Sequence, residues 1–267
     1  MKVAILANSH VHMLKHAIDQ RAPSWSPTLF AAPARGLYSL RRLPKRQGLF
    51  TRKAELSKWL ARTSGGLTEI RYDEYDSFAI VGLALRTHGA LRLFDRYQPH
   101  RFRLDKSASL ISESAFREAA KSELERSAGY RMMRLLSNQK QPVVVVPAPF
   151  PHHAIMERSG YQWMKHDDGT AAIWINGVIE SAIKDLAHPF GYKVLSQPAE
   201  TISSLGLTKP EYGVGAKRIT GGEYGEQDIS HMGPVYGHIV LNQIGDALGA
   251  KTSANAEKIG SAASAPL

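Results

Sequence analysis

Between Pro142 and Pro147 the chain reads Val143-Val144-Val145-Val146, an apolar run without a polar interruption. Successive β-branched residues favour an extended strand, because their χ1 freedom is restricted in a helix. The absence of alternation says more. A strand with one face in water alternates apolar and polar residues, whereas a continuous run is buried on both faces, as in a parallel sheet covered by helices on each side. Similar short runs occur at residues 2–7, Pro27–Ala32, Phe78–Gly82 and Tyr192–Ser196. Helical spacing fills the gaps between them.

Met13, Leu14, Ala17 and Ile18 share one face of a helix beginning near His12. Ser112 is placed to cap a long helical segment running to about Asn138, with Phe116, Ala120, Leu124 and Leu135 as its stripe. Residues 170–187 repeat the spacing through Ile173, Trp174, Val178, Ile179, Ile183 and Leu186, and stop at His188-Pro189. A last helix is expected from about Pro234 to Leu248. Strands alternating with helices predict a three-layer α/β/α sandwich around a doubly wound, mainly parallel, five-stranded sheet. Residues 1–249 are expected to form a single domain. A basic, partly helical insertion lies at about 34–70, helical near Ala54–Ala61 and broken at Gly65-Gly66. The Ala/Ser-rich tail over 250–267 lacks periodicity and is expected to be disordered.

Composition narrows the chemistry. With no cysteine among 267 residues, disulfides, thiolate metal sites and cysteine nucleophiles are excluded. No apolar run approaches the roughly 20 residues of a membrane span, and the N-terminus lacks a signal-peptide layout, so a cytoplasmic protein without membrane association is expected. The formal charge is +10, concentrated in Arg35, Arg41, Arg42, Lys45, Arg46, Arg52 and Lys53, then Arg86, Arg92, Arg96, Arg101 and Arg103. Such charge suits an anionic glycan or a nucleotide-linked substrate. Aromatic residues for base stacking are sparse there, so nucleic acid is disfavoured and a solvated basic surface is the simpler reading.

In doubly wound sheets functional groups gather beyond the carboxyl ends of the strands. Asn8-Ser9-His10 follows the first strand, Gly82 ends the third, and Pro147–Pro149 follow the fourth. Asp228-Ile229-Ser230-His231 precedes the last helix. A serine at a strand-to-helix turn with a distant Asp-x-x-His has the elements of a Ser9–His231–Asp228 triad. In it the histidine takes the serine proton and the aspartate fixes the imidazole tautomer. Ser9 would serve equally as a helix cap, and His231 as a capping or core histidine. The Ser9 and Gly82 N–H groups are candidate oxyanion donors, and His152, in His152-His153, is placed to line a substrate pocket. His12 and His16 lie one helical turn apart but lack a third ligand, so no metal is expected. Gly213-Val214-Gly215-Ala216-Lys217 lacks the spacing of a phosphate loop. The G-x-S-x-G elbow of an ordinary α/β-hydrolase is absent.

These blocks resemble the SGNH/GDSL hydrolase superfamily, in particular divergent bacterial members whose first block is a small residue followed by x-Ser-His. Here that block is Ala7-Asn8-Ser9-His10. Tyr75-Asp76-Ser77-Phe78-Ala79-Ile80-Val81-Gly82 is similar to the family's second block, and Asp228-Ile229-Ser230-His231 matches its last. The resemblance implies a flavodoxin-like fold and ester hydrolysis on an acylated carbohydrate or similar small molecule. It implies no metal or organic cofactor. O-acyl transfer by the same triad, or ligand binding without catalysis, are the alternatives. The family's third block, Gly-x-Asn-Asp, is replaced by Val146-Pro147-Ala148-Pro149. One oxyanion donor is therefore expected either to be missing or to come from another side chain, such as Asn8, His10 or Arg86.

Overall fold

The computed structural model describes residues 1–33, 35–43, 47–218, 222–225 and 228–250. All of the expected tail over 250–267 except Ala250, and the basic residues Lys45 and Arg46, lie outside the described residues.

The strands, in chain order, are β1 (Lys2–Ala7), β2 (Ser26–Ala31), β3 (Arg41–Arg42), β4 (Gly48–Phe50), β5 (Ile70–Arg71), β6 (Ser77–Val81), β7 (Tyr97–Pro99), β8 (Ser109–Ile111), β9 (Val143–Val146) and β10 (Lys193–Val194). The helices are α1 (Val11–Gln20), α2 (Ala54–Ser64), α3 (His88–Arg96), α4 (Glu113–Glu125), α5 (Ala128–Leu136), α6 (Thr170–Ala187) and α7 (Pro234–Ala247). Five strands form one parallel sheet in the order β10-β9-β6-β1-β2. The chain leaves β1 toward one edge, then crosses back to β6 on the other side of β1. That reversal opens a crevice beyond the carboxyl ends of β1 and β6.

The pleat divides the core in two. Val3, Ile5 and Ala7 of β1, with Val144 and Val146 of β9, join α1 and α7 on one face. Ala4, Leu6, Val143 and Val145 join α2, α4, α5 and α6 on the other. The valine run of β9 is buried on both sides, as its lack of alternation predicts. Among the described residues no helix is long and apolar enough to cross a membrane.

One expected helix is divided in two. The segment from Ser112 to Asn138 is not one helix. It breaks at Arg126-Ser127, because the Ser127 hydroxyl accepts from the Tyr130 N–H and starts α5 afresh, as Ser112 starts α4 by accepting from Ala115. In the basic insertion the helix expected near Ala54–Ala61 is α2, which ends at Gly65, and the antiparallel strands β3, β4 and β5 accompany it. Part of the insertion's charge is structural. Arg42 donates to the Leu135 carbonyl at 2.9 Å and to that of Arg134, holding carbonyls at the end of α5, while Arg131 donates to Tyr38 and Leu40 carbonyls at 2.7 and 3.0 Å.

Candidate functional site

The parallel register pairs Ala7 with Val81, and Val81 with Val146. Asn8, Gly82 and Pro147 therefore emerge together at the carboxyl edge of the sheet. After β6 the backbone makes a left-handed run, with φ of +70° at Gly82, +47° at Leu83 and +63° at Ala84. For the two residues with side chains this conformation is strained by about 1–3 kcal/mol each. It persists because the surroundings fix it: Gly129 at the start of α5 donates to the Leu83 carbonyl at 2.7 Å, Ala148 donates to that of Leu85 at 2.8 Å, and Leu83 and Leu85 are buried. The helix break at Ser127 thus places the α5 N-terminus against the turn beside Ser9.

The Asp228–His231 segment is anchored on both sides of the sheet. Ile229 belongs to one core and Met232 to the other, and the Ile229 carbonyl accepts from His152 N–H at 2.9 Å. Asp228 and His231 are left facing a hollow of about 400 Å³, also lined by His152, His153 and Tyr224. Asp228 Oδ2 lies 2.8 Å from His231 Nδ1. Its Oδ1 accepts from the N–H groups of Ser230 and His231 at 2.8 and 2.7 Å. Partial burial pushes this carboxyl upward, but the His231 ring and the two N–H groups outweigh it and hold the pKa well below the usual range. His231 Nε2 is buried and without a hydrogen-bond partner among the described residues.

Ser9 does not cap α1: the N-cap is His10, and no side chain caps the helix. Ser9 lines a separate cleft of about 720 Å³, together with Asn8, Arg35, Ala84, Arg86 and Arg126. The Ser9–His231 hydrogen bond of a resting triad is not made, since Nε2 has no partner. The buried ring of His10, the residue after Ser9, lies 5.5 Å from the His231 ring. Asn8 Oδ1 accepts from His10 N–H at 3.4 Å. Gly82 requires correction as an oxyanion donor, because its N–H is committed to the Val146 carbonyl at 2.9 Å, continuing the sheet ladder. His152 approaches the His231 carbonyl through Nε2 at 3.1 Å, bracing the backbone as well as lining the hollow. Arg86 stays exposed, in the Ser9 cleft.

Three further residues shape the site. Tyr224 stacks on His231 with centroids 3.8 Å apart and planes 7° apart. His88, buried at the start of α3, reaches Ser230 Oγ through Nε2 at 3.2 Å. His12 meets Tyr224 edge-on. No local sequence pattern marks these partners, which come from separate elements. Among the described residues no cluster of three or more His, Cys, Asp or Glu side chains is arranged to hold a metal.

Burial first, then the charges of His231, His88 and Arg86, lower the His10 pKa to about 3. Burial and the nearby arginines lower that of His88 to about 4. Both imidazoles are therefore neutral when folded but take up a proton near pH 6.5 when unfolded. Their stability contribution is complete above about pH 6.5 and lost as pH falls toward 4, at up to about 1.4 kcal/mol per pH unit for each ring. Urea midpoints are expected to fall steadily between pH 7 and pH 5, and a flat profile would contradict the buried neutral rings.

No family model matches the chain, and no curated protein matches it. Among solved structures it is similar to LAE5, an alpha/beta hydrolase enzyme from the metagenome of Lake Arreo, Spain, at a TM-score of 0.40 and 10% identity over 94% of this chain and 96% of that one. The chain itself has an α/β fold with a five-stranded parallel sheet flanked by helices.

Proposed function

We propose that the chain is a serine hydrolase of the SGNH/GDSL kind that cleaves a carboxylic ester, an O-acyl group on a carbohydrate or similar small molecule. One observation carries the reading: the Asp228–His231 pair, with Nδ1 held and Nε2 buried and unpartnered, at the sheet edge that also bears Ser9. Ser9 Oγ attacks the acyl carbonyl while His231 Nε2 takes its proton. The imidazolium, stabilised by Asp228, then protonates the departing alcohol, and water repeats the sequence on the acyl-serine. Because Nε2 is unpartnered at rest, the serine–histidine contact forms as substrate enters, as unliganded sites often require. With the Gly82 N–H committed to the sheet, the oxyanion donors are the Ser9 N–H and the side chains of Asn8 and Arg86.

Ser9→Ala is expected to lower turnover of a short-chain aryl ester by about 10³-fold or more, and to abolish labelling by a fluorophosphonate probe. Full activity in that variant would remove Ser9 as the nucleophile. The unmade Ser9–His231 bond favours, as a second reading, a binding protein that keeps the scaffold without catalysis. Stoichiometric labelling of Ser9 would rule it out. Acyl transfer uses the same groups, with a sugar hydroxyl replacing water, and is separated from hydrolysis by analysing products with and without an acceptor sugar.

A further inference from the structure

We propose that the ester cleaved at Ser9 carries a negatively charged group, a carboxylate or phosphate, which the cleft beside Ser9 binds through Arg35, Arg86 and Arg126. The inference rests on the hydrolase reading and names its substrate class. These arginines come from separate parts of the chain: Arg35 follows β2, Arg86 follows the left-handed turn, and Arg126 lies at the break between α4 and α5. All are exposed and line the same cleft as Ser9.

None of them forms an ion pair among the described residues, although Arg71, Arg101 and Arg117 elsewhere on the surface each have a carboxylate partner. The Arg126 guanidinium donates to the neutral Ser122 hydroxyl at 3.2 Å and has no carboxylate partner among the described residues. Glu123 is the acid lining the cleft, and its carboxylate packs onto Gly89 near the start of α3. Three arginines and one glutamate therefore line a concave space large enough for a small molecule. Like charges gathered in a cleft focus their field on an incoming anion, and guanidinium forks match the geometry of carboxylate and phosphate oxygens. The same charges would leave a neutral substrate with unpaired donors on one side.

The test compares each neutral ester with an anionic counterpart. p-Nitrophenyl acetate is set against p-nitrophenyl hemisuccinate, with the charge on the acyl side. Phenyl acetate is set against 4-acetoxybenzoate, with the charge on the alcohol side. In at least one pair the anionic ester is expected to have the higher kcat/KM by about tenfold, and the advantage to shrink severalfold in about 0.5 M NaCl. In Arg126→Gln and Arg35→Gln proteins that ratio is expected to fall severalfold. A ratio taken within one preparation is insensitive to partial loss of folded protein.

Binding is read separately by calorimetry on Ser9→Ala protein with the unreactive amides 4′-nitrosuccinanilate and 4-acetamidobenzoate against 4′-nitroacetanilide and acetanilide. If neither anionic amide binds more tightly than its neutral partner, and neither anionic ester is preferred, the anion site is overturned even if ester hydrolysis is established. If an anionic amide is preferred, but no ester is turned over and Ser9 is not labelled by a fluorophosphonate, the anion site stands and the hydrolase reading falls.

Discussion

Asp228→Asn protein is expected to turn over a short-chain aryl ester about 10⁴-fold more slowly while remaining folded. The size of the effect follows from how the carboxylate is held. Oδ1 accepts from two backbone N–H groups, those of Ser230 and His231, and only Oδ2 faces the ring. An asparagine keeps the backbone bonds only by placing its carbonyl oxygen where Oδ1 now lies. Its NH₂ then points at His231 Nδ1 and forces that nitrogen to accept. The proton moves to Nε2, which becomes a donor and can no longer take the serine proton. Retained hydrolysis in Asp228→Asn protein with an unchanged unfolding profile would remove Asp228 from the proposed triad.

Gly82→Ala is expected to destabilise the fold by about 2–4 kcal/mol and to lower any ester turnover by about 10²-fold. Two causes add. At a φ of +70° an alanine is strained. Its Cβ would also stand 2.6 Å from His10 Cδ2 and 2.8 Å from Asn8 Oδ1, the residues on either side of Ser9. Gly191→Ala separates the terms, because Gly191 has a similar φ of +69° but nothing within 4 Å of an added Cβ. Urea unfolding should show the smaller loss at Gly191. Equal losses at the two positions would mean that the crowding around His10 relaxes at little cost.

Much of the architecture is legible in the sequence because it rests on local signals. The valines of β9 require burial on two faces, and the stripe over 170–187 matches α6 end to end. The short pairings around the basic insertion are not legible. Strands of two or three residues leave no periodicity to read, and their pairing joins residues as distant as Gly48 and Arg71. The α4–α5 break has a local signal in Ser127, but the apolar stripe continuing to Leu135 overrides it when the segment is read as a pattern.

For the site, the sequence by itself determined the Asp228-x-x-His231 geometry, since residues three apart in one turn can bring a carboxylate to Nδ1. It also determined which segments end at the carboxyl edge, because strand direction and connection length dictate that. Only the tertiary structure decided the rest. The Gly82 N–H is committed to Val146 because β6 and β9 are neighbours, a pairing of residues far apart in the chain. Tyr224 covers His231, and Arg35, Arg86 and Arg126 line one cleft with Ser9, because separate segments fold onto one edge. Spacing along a chain specifies neighbours within a turn; a hydrogen bond already taken, or charges gathered from separate segments, exist only once the sheet has brought those segments together.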